Sequence, residues 1–135
     1  MLESQLKAVP FFSSLSKSDL ATVARLVDEV DVPDGQAVAR EGRFGHEFFV
    51  IVDGTAEVTR GDREIAKLGP GDFFGEMALV GGEQRMATVT ATSPMRVLVM
   101  TRQSFREMDR TMPALHATIV EAIQARREAA QMSSS

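Results

Sequence analysis

Apolar residues recur along the chain at two different periods, and the change of period divides it into three parts. Over Ser16–Val27, Leu20, Val23, Ala24 and Val27 return every three or four residues. That spacing lines one face of a helix, with Ser16 or Ser18 placed to cap its start. Upstream, Leu2, Leu6 and Val9 predict a shorter helix broken near Pro10. From Val30 the helical period disappears and short β-rich runs follow. They predict strands over Asp28–Val32, Gln36–Arg40, Glu47–Val52, Thr55–Arg60, Glu64–Leu68, Met86–Thr92 and Met95–Met100.

Turn residues separate these runs: Pro33-Asp34-Gly35, Glu41-Gly42, Asp53-Gly54, Gly61-Asp62, Gly69-Pro70-Gly71-Asp72 and Gly81-Gly82. Asp53-Gly54 reads as a two-residue β-hairpin turn. Many short strands at close spacing indicate a mainly β protein, an antiparallel β-roll of jelly-roll type, and not a parallel α/β sheet. Beyond Thr101, Phe105 and Met108 resume the helical period. After Pro113, which suits a first helical turn, Leu115, Ile119, Ala122 and Ile123 form a stripe reaching Ala130. The reading is one domain over 1–135: helical 1–28, β-roll 29–100, C-terminal helices 101–131 and a frayed polar tail 132–135.

Composition narrows the chemistry. With 44% hydrophobic residues the chain can bury a core. It has no cysteine, which excludes disulfides and thiolate sites. No apolar run approaches the ~20 residues needed to span a bilayer, and no signal peptide opens the chain, so a cytoplasmic location is expected. The net charge of −4 argues against nucleic-acid binding through a basic face. A local anion site remains open, because one arginine and a few backbone amides hold a phosphate in an acidic protein.

The segment Gly69–Val89 is where such a site would lie. Gly75 permits close approach of backbone to ligand. Glu76–Leu79 is long enough for one helical turn, whose first amides suit an anion, and Gly81-Gly82 stops it. Arg85 then supplies a forked, permanent cation, and Glu76 a carboxylate able to accept from a sugar hydroxyl. The alternative left open by these residues is a surface ion pair between Glu76 and Arg85, worth about 0–1 kcal/mol.

The positions Phe74, Gly75, Glu76, Ala78, Leu79, Arg85, Ala87 and Thr88 match F-G-E-x-A-L followed by R-x-A-[TS] at every specified residue. This resembles the phosphate-binding cassette of cyclic nucleotide-binding domains, and the likeness extends from about Leu6 to about Arg127. The resemblance implies a non-enzymatic regulatory module. In it Glu76, beside the Gly75 backbone, accepts from the ribose 2′-hydroxyl, within a segment that includes Met77. Arg85 pairs with an exocyclic phosphate oxygen, and the Ala78 and Met86 amides donate to the others. Ala87 is small where the strand passes beneath the loop, and Thr88 restarts the strand.

The hydroxyl residue that often follows the arginine in cGMP-preferring relatives is here Met86, so cAMP is the expected ligand, with cGMP second. Val58 and Arg126 are candidate base contacts. Core packing competes for Val58, and helix-dipole complementarity competes for Arg126. Ile119 and Ile123 are expected to pack on the roll, and Phe11 and Phe12 to be core or a partner surface. Ligand binding is expected to dock the last helix as a lid. No cofactor or metal is expected: His46 and His116 are seventy residues apart and lack metal-ligand spacing. No helix-turn-helix is read within these residues, so the expectation is either a stand-alone receptor, with output through an effector protein or self-association, or a fragment of a larger channel, kinase or regulator. The competing readings are a family member that has lost its ligand and serves as an interaction module and, behind it, a cupin-like metalloenzyme.

Overall fold

A computed structural model describes residues 6, 7, 12, 13, 15–43, 45, 47–75 and 85–134, by backbone alone at 122, 123 and 126–134. The helix α1 spans Lys17–Leu26, and of the two candidate caps it is Ser16 whose side chain accepts from the Asp19 amide at 3.1 Å. Among the described residues eight strands follow: β1 Asp28–Val32, β2 Ala37–Ala39, β3 Glu47–Asp53, β4 Ala56–Arg60, β5 Arg63–Leu68, β6 Phe73–Phe74, β7 Thr88–Ala91 and β8 Met95–Thr101. Two helices close the chain, α2 Arg102–Thr111 and α3 Pro113–Ser134. Thr101 caps α2 by accepting from the Ser104 amide, and Pro113 opens α3 as its position predicted.

The strands form two four-stranded antiparallel sheets, ordered β1-β8-β3-β6 and β2-β7-β4-β5. Within the first sheet β3 and β8 are buried on both faces, which explains their unbroken apolar runs, whereas β1 is exposed up to Val32. Phe48, Val50, Leu98 and Met100 point to the helices, where they meet Leu20, Val23, Phe105, Met108, Leu115 and Ile119. Their neighbours Phe49, Ile51, Val97 and Val99 point to the second sheet and meet Ala56, Val89 and Ala91. Alternation within each strand thus feeds two cores. Phe12 and Ile119 are core, while Phe11 and the Ile123 side chain lie outside the described residues.

Three features correct the sequence reading. Asp53-Gly54 is not a hairpin, since β3 and β4 belong to different sheets. It is a corner. Of its two residues only Gly54 has positive φ, +88°, and an added Cβ there would overlap the Pro94 carbonyl and stand 2.7 Å from the Met95 Cα. This corner lies against the β7–β8 corner, joined by Thr55 N–H to Ser93 Oγ at 3.0 Å and the Thr55 and Thr92 hydroxyls at 2.7 Å. The tight hairpin is instead β4–β5, where Arg60 faces Arg63 across Gly61-Asp62. Gly61 there has φ +60°, at the position a type II′ turn assigns to glycine. The second correction is β6: Phe73 and Phe74 pair with Val50 and Phe49, a strand too short for periodicity to reveal. The third is the tail, because α3 continues to Ser134 through residues expected to fray. Adding one residue to an existing helix gains a hydrogen bond without a new nucleation cost.

Candidate functional site

Arg85 stands just before β7, and its backbone is fixed by the loop that follows β2. Its N–H donates to the Arg43 carbonyl at 2.7 Å, and its own carbonyl accepts from the Gly42 amide at 2.9 Å. The side chain donates from Nη2 to the Glu47 carbonyl at 2.9 Å, and its Cζ lies 5.8 Å from the Phe49 ring centroid. Two glycines wall the guanidinium. A Cβ on Gly45 would overlap Nε, Cζ and Nη2, and one on Gly75 would come within 2.6 Å of Nη1 and 2.8 Å of the Glu47 carbonyl. Gly75 also has φ +79°, the left-handed region. Gly75→Ala is therefore expected to destabilise the fold by about 1–2 kcal/mol from backbone strain alone. It should also displace Arg85, so that thermal melting and ligand titration fall together.

The same guanidinium borders a cavity of about 240 Å³ lined also by Arg40, Arg43, Gly45 and Glu47 against β2. Among the described residues three arginines and one glutamate line it, a positive balance on a chain of net charge −4, as an anion site requires.

Thr88 opens β7 and its hydroxyl accepts from the Glu41 amide at 3.0 Å. The Glu41 carboxylate accepts in turn from the Gly61 amide at 2.9 Å, tying the β4–β5 hairpin to the site. Arg60 Nε donates to the Met86 carbonyl at 3.2 Å. The Met86 side chain is 68% exposed, so only its backbone faces the neighbouring strand. Ala87 is half-buried. Val58 lies opposite Val89 and packs half-buried on the inter-sheet core. Glu76, Met77, Ala78 and Leu79, with their expected helical turn, lie outside the described residues, as does the side chain of Arg126.

The structure thus brings Gly75 to Arg85, nine residues of chain having intervened, with Thr88 anchored close by. Sequence reasoning missed Gly45, Glu41 and Arg60. Only the glycine carried a local signal, because the other two reach the site through pairings 20 to 47 residues apart.

Other charged groups lie elsewhere. Arg96 pairs with Asp31 at 2.9 Å and Glu29 at 3.1 Å near the Asp53 corner, away from the Glu47 end of β3. The hydrogen bond to Asp31, then the charges of Asp31 and Glu29, raise its guanidinium above the ordinary range. His116 stacks on Phe105 at 4.2 Å and approaches Asp109 at 3.6 Å, while His46 lies outside the described residues.

A roll of two antiparallel sheets, flanked by helices and carrying an arginine against a glycine-walled loop, defines the class. Residues 29–111 match the cyclic nucleotide-binding domain family, and the chain belongs to that family. Over 112 residues, 83% of the chain, it is 36% identical to a cyclic nucleotide-gated potassium channel of Rhizobium etli, of whose length it spans 31%. Its fold is similar to the Thermus thermophilus catabolite activator protein, with TM-score 0.82 and 26% identity, covering 92% of this chain and 61% of that one. It is also similar to the regulatory domain of Toxoplasma gondii PKA crystallised with cAMP. There the TM-score is 0.77 and identity 27%, over 93% of this chain and 49% of that one.

Proposed function

We propose that this protein is a non-enzymatic receptor for a cyclic nucleotide, with cAMP preferred to cGMP. The observation that carries the reading is Arg85 held against Gly75 with its backbone pinned by Gly42 and Arg43. A cation fixed in place before the ligand arrives loses little entropy on binding. In this reading Arg85 neutralises the cyclic phosphate, the Ala78 and Met86 amides donate to it, and Glu76 beside Gly75 accepts from the ribose. Ala87 and Thr88 seat the loop on β7. Met86 offers no hydroxyl to guanine, which favours adenine. Val58 and Arg126 are the side chains proposed to meet the base. No cofactor or metal takes part.

The signal would pass through α3. Leu115 and Ile119 anchor its start in the helix-side core, so ligand binding would act on the helix beyond them, as a lid. Among the described residues no helix is long and apolar enough to cross a membrane, which says nothing of a β-barrel. We place the receptor in the cytoplasm, acting on an effector protein or through self-association and not on DNA directly.

Isothermal titration of the chain with cAMP and cGMP tests this. Saturable binding of both, tighter for cAMP, is expected, with slower amide hydrogen exchange over residues 113–127 on adding cAMP. Tighter cGMP binding overturns the choice of base, unchanged exchange overturns the lid, and no heat with either overturns the receptor.

A further inference from the structure

Arg60 lies at the open end of the roll with a geometry suited to a ligand. On β4 the even positions face the other sheet, since Ala56 is buried and Val58 packs on the inter-sheet core. On β7 the odd positions Val89 and Ala91 do the same. The β4–β7 register runs unbroken from Ala56↔Ala91 to Thr59↔Thr88. Arg60, the exposed last residue of β4, therefore takes the next place in the inward series after Val58, and Arg85 lies just before β7 at the same end of the β4–β7 pair. Both cations leave the same end of the roll.

Arg60 is also held there. Its Nε donates to the Met86 carbonyl, and the next residue, Gly61, is tied to Glu41. Among the described residues no carboxylate lies within ion-pair distance of Arg60, whereas Arg96 is paired to both Glu29 and Asp31. Four of its five N–H donors remain available at a rim of the roll.

We infer that Arg60 binds the ligand's base, donating to the N7 acceptor of a purine, so that the site prefers cyclic purine to cyclic pyrimidine nucleotides. The inference rests on the cyclic-nucleotide reading above. Arg85 is drawn to the Glu47 carbonyl and Gly75, on the side of β3 and β6, while Arg60 belongs to the opposite sheet. A nucleotide whose phosphate sits at Arg85 extends its base toward β4, past the apolar surface of Val58, to Arg60. Adenine and guanine share N7 and pyrimidines lack it, so Arg60 reads purine without choosing between the two.

The test is a binding comparison of cAMP with 7-deaza-cAMP, in which a C–H replaces N7, for the parent chain and Arg60→Met. The parent should bind cAMP about ten-fold or more tightly than the deaza analogue, the worth of one charge-assisted hydrogen bond. Arg60→Met, which keeps the apolar stem, should bind both alike. Arg60→Gln read by the same ratio serves if the first variant does not fold. Equal affinity of the parent for both nucleotides overturns the inference. So does an equal loss of both in the variant, which would mean that Arg60 acts only through the Met86 carbonyl. A parent that binds neither overturns the cyclic-nucleotide reading itself.

Discussion

Arg85→Ala should weaken cyclic nucleotide binding by about 3 kcal/mol or more, at least a hundred-fold, as read by calorimetry. Truncating one partner of a buried charge pair costs about 2–5 kcal/mol, much of it from leaving the other charge unpaired. The phosphate is that other charge here. The variant should fold, although it gives up the bond to the Glu47 carbonyl and the contact with the Phe49 ring. The backbone bonds to Gly42 and Arg43 do not depend on the side chain. Equal affinity of variant and parent would remove the phosphate from Arg85 and the ligand assignment with it.

Phe48→Ala is the substitution expected to harm stability most. Its side chain is 2% exposed, packed among Val50, Leu98, Met100 and Phe105, with its ring 5.7 Å from that of Phe73. Phenylalanine-to-alanine changes in a core cost about 3–5 kcal/mol, because the cavity collapses only in part. Domains of this kind are stable by roughly 5–15 kcal/mol, so much of the margin is lost. Urea denaturation should show a lower midpoint at unchanged slope. The neighbouring Phe49 gives the contrast: it points to the other core and lies beside Arg85, so its truncation should lower stability and affinity together. A Phe48→Ala midpoint equal to the parent's would contradict the two-core arrangement.

The two aromatics also show where sequence reading stops. Phe48 and Phe49 are adjacent and both apolar, and period-two alternation assigns them to opposite faces. Nothing local says that both faces are covered. That follows from three helices on one side and a second sheet on the other, packed through residues distant in sequence. The Asp53-Gly54 corner has the same origin. Its two residues carry a hairpin signal, but the close approach of Pro94 and Met95 sends the chain into the other sheet. Likewise Phe73-Phe74 becomes β6 only because Phe49 and Val50 offer a partner edge.

The cassette divides along the same line. The candidates Gly75, Glu76, Arg85, Ala87 and Thr88 could be picked out because they lie in one short run, though Glu76 is outside the described residues. The seating of Arg85 was not legible, since Gly42, Arg43, Gly45, Glu47 and Phe49 come from other elements. Nor was the place of Arg60, an exposed charge before a turn that the β4–β7 pairing sets beside the start of β7.

By itself the sequence determined most of the elements and the antiparallel class, and it singled out a candidate anion-binding segment, because period, turn chemistry and a contiguous motif are local properties of the chain. Tertiary structure alone decided which sheet each strand joins, how two cores share one sheet, and which cations stand together at the mouth of the roll. Those depend on pairings between residues tens of positions apart, and no local pattern encodes them.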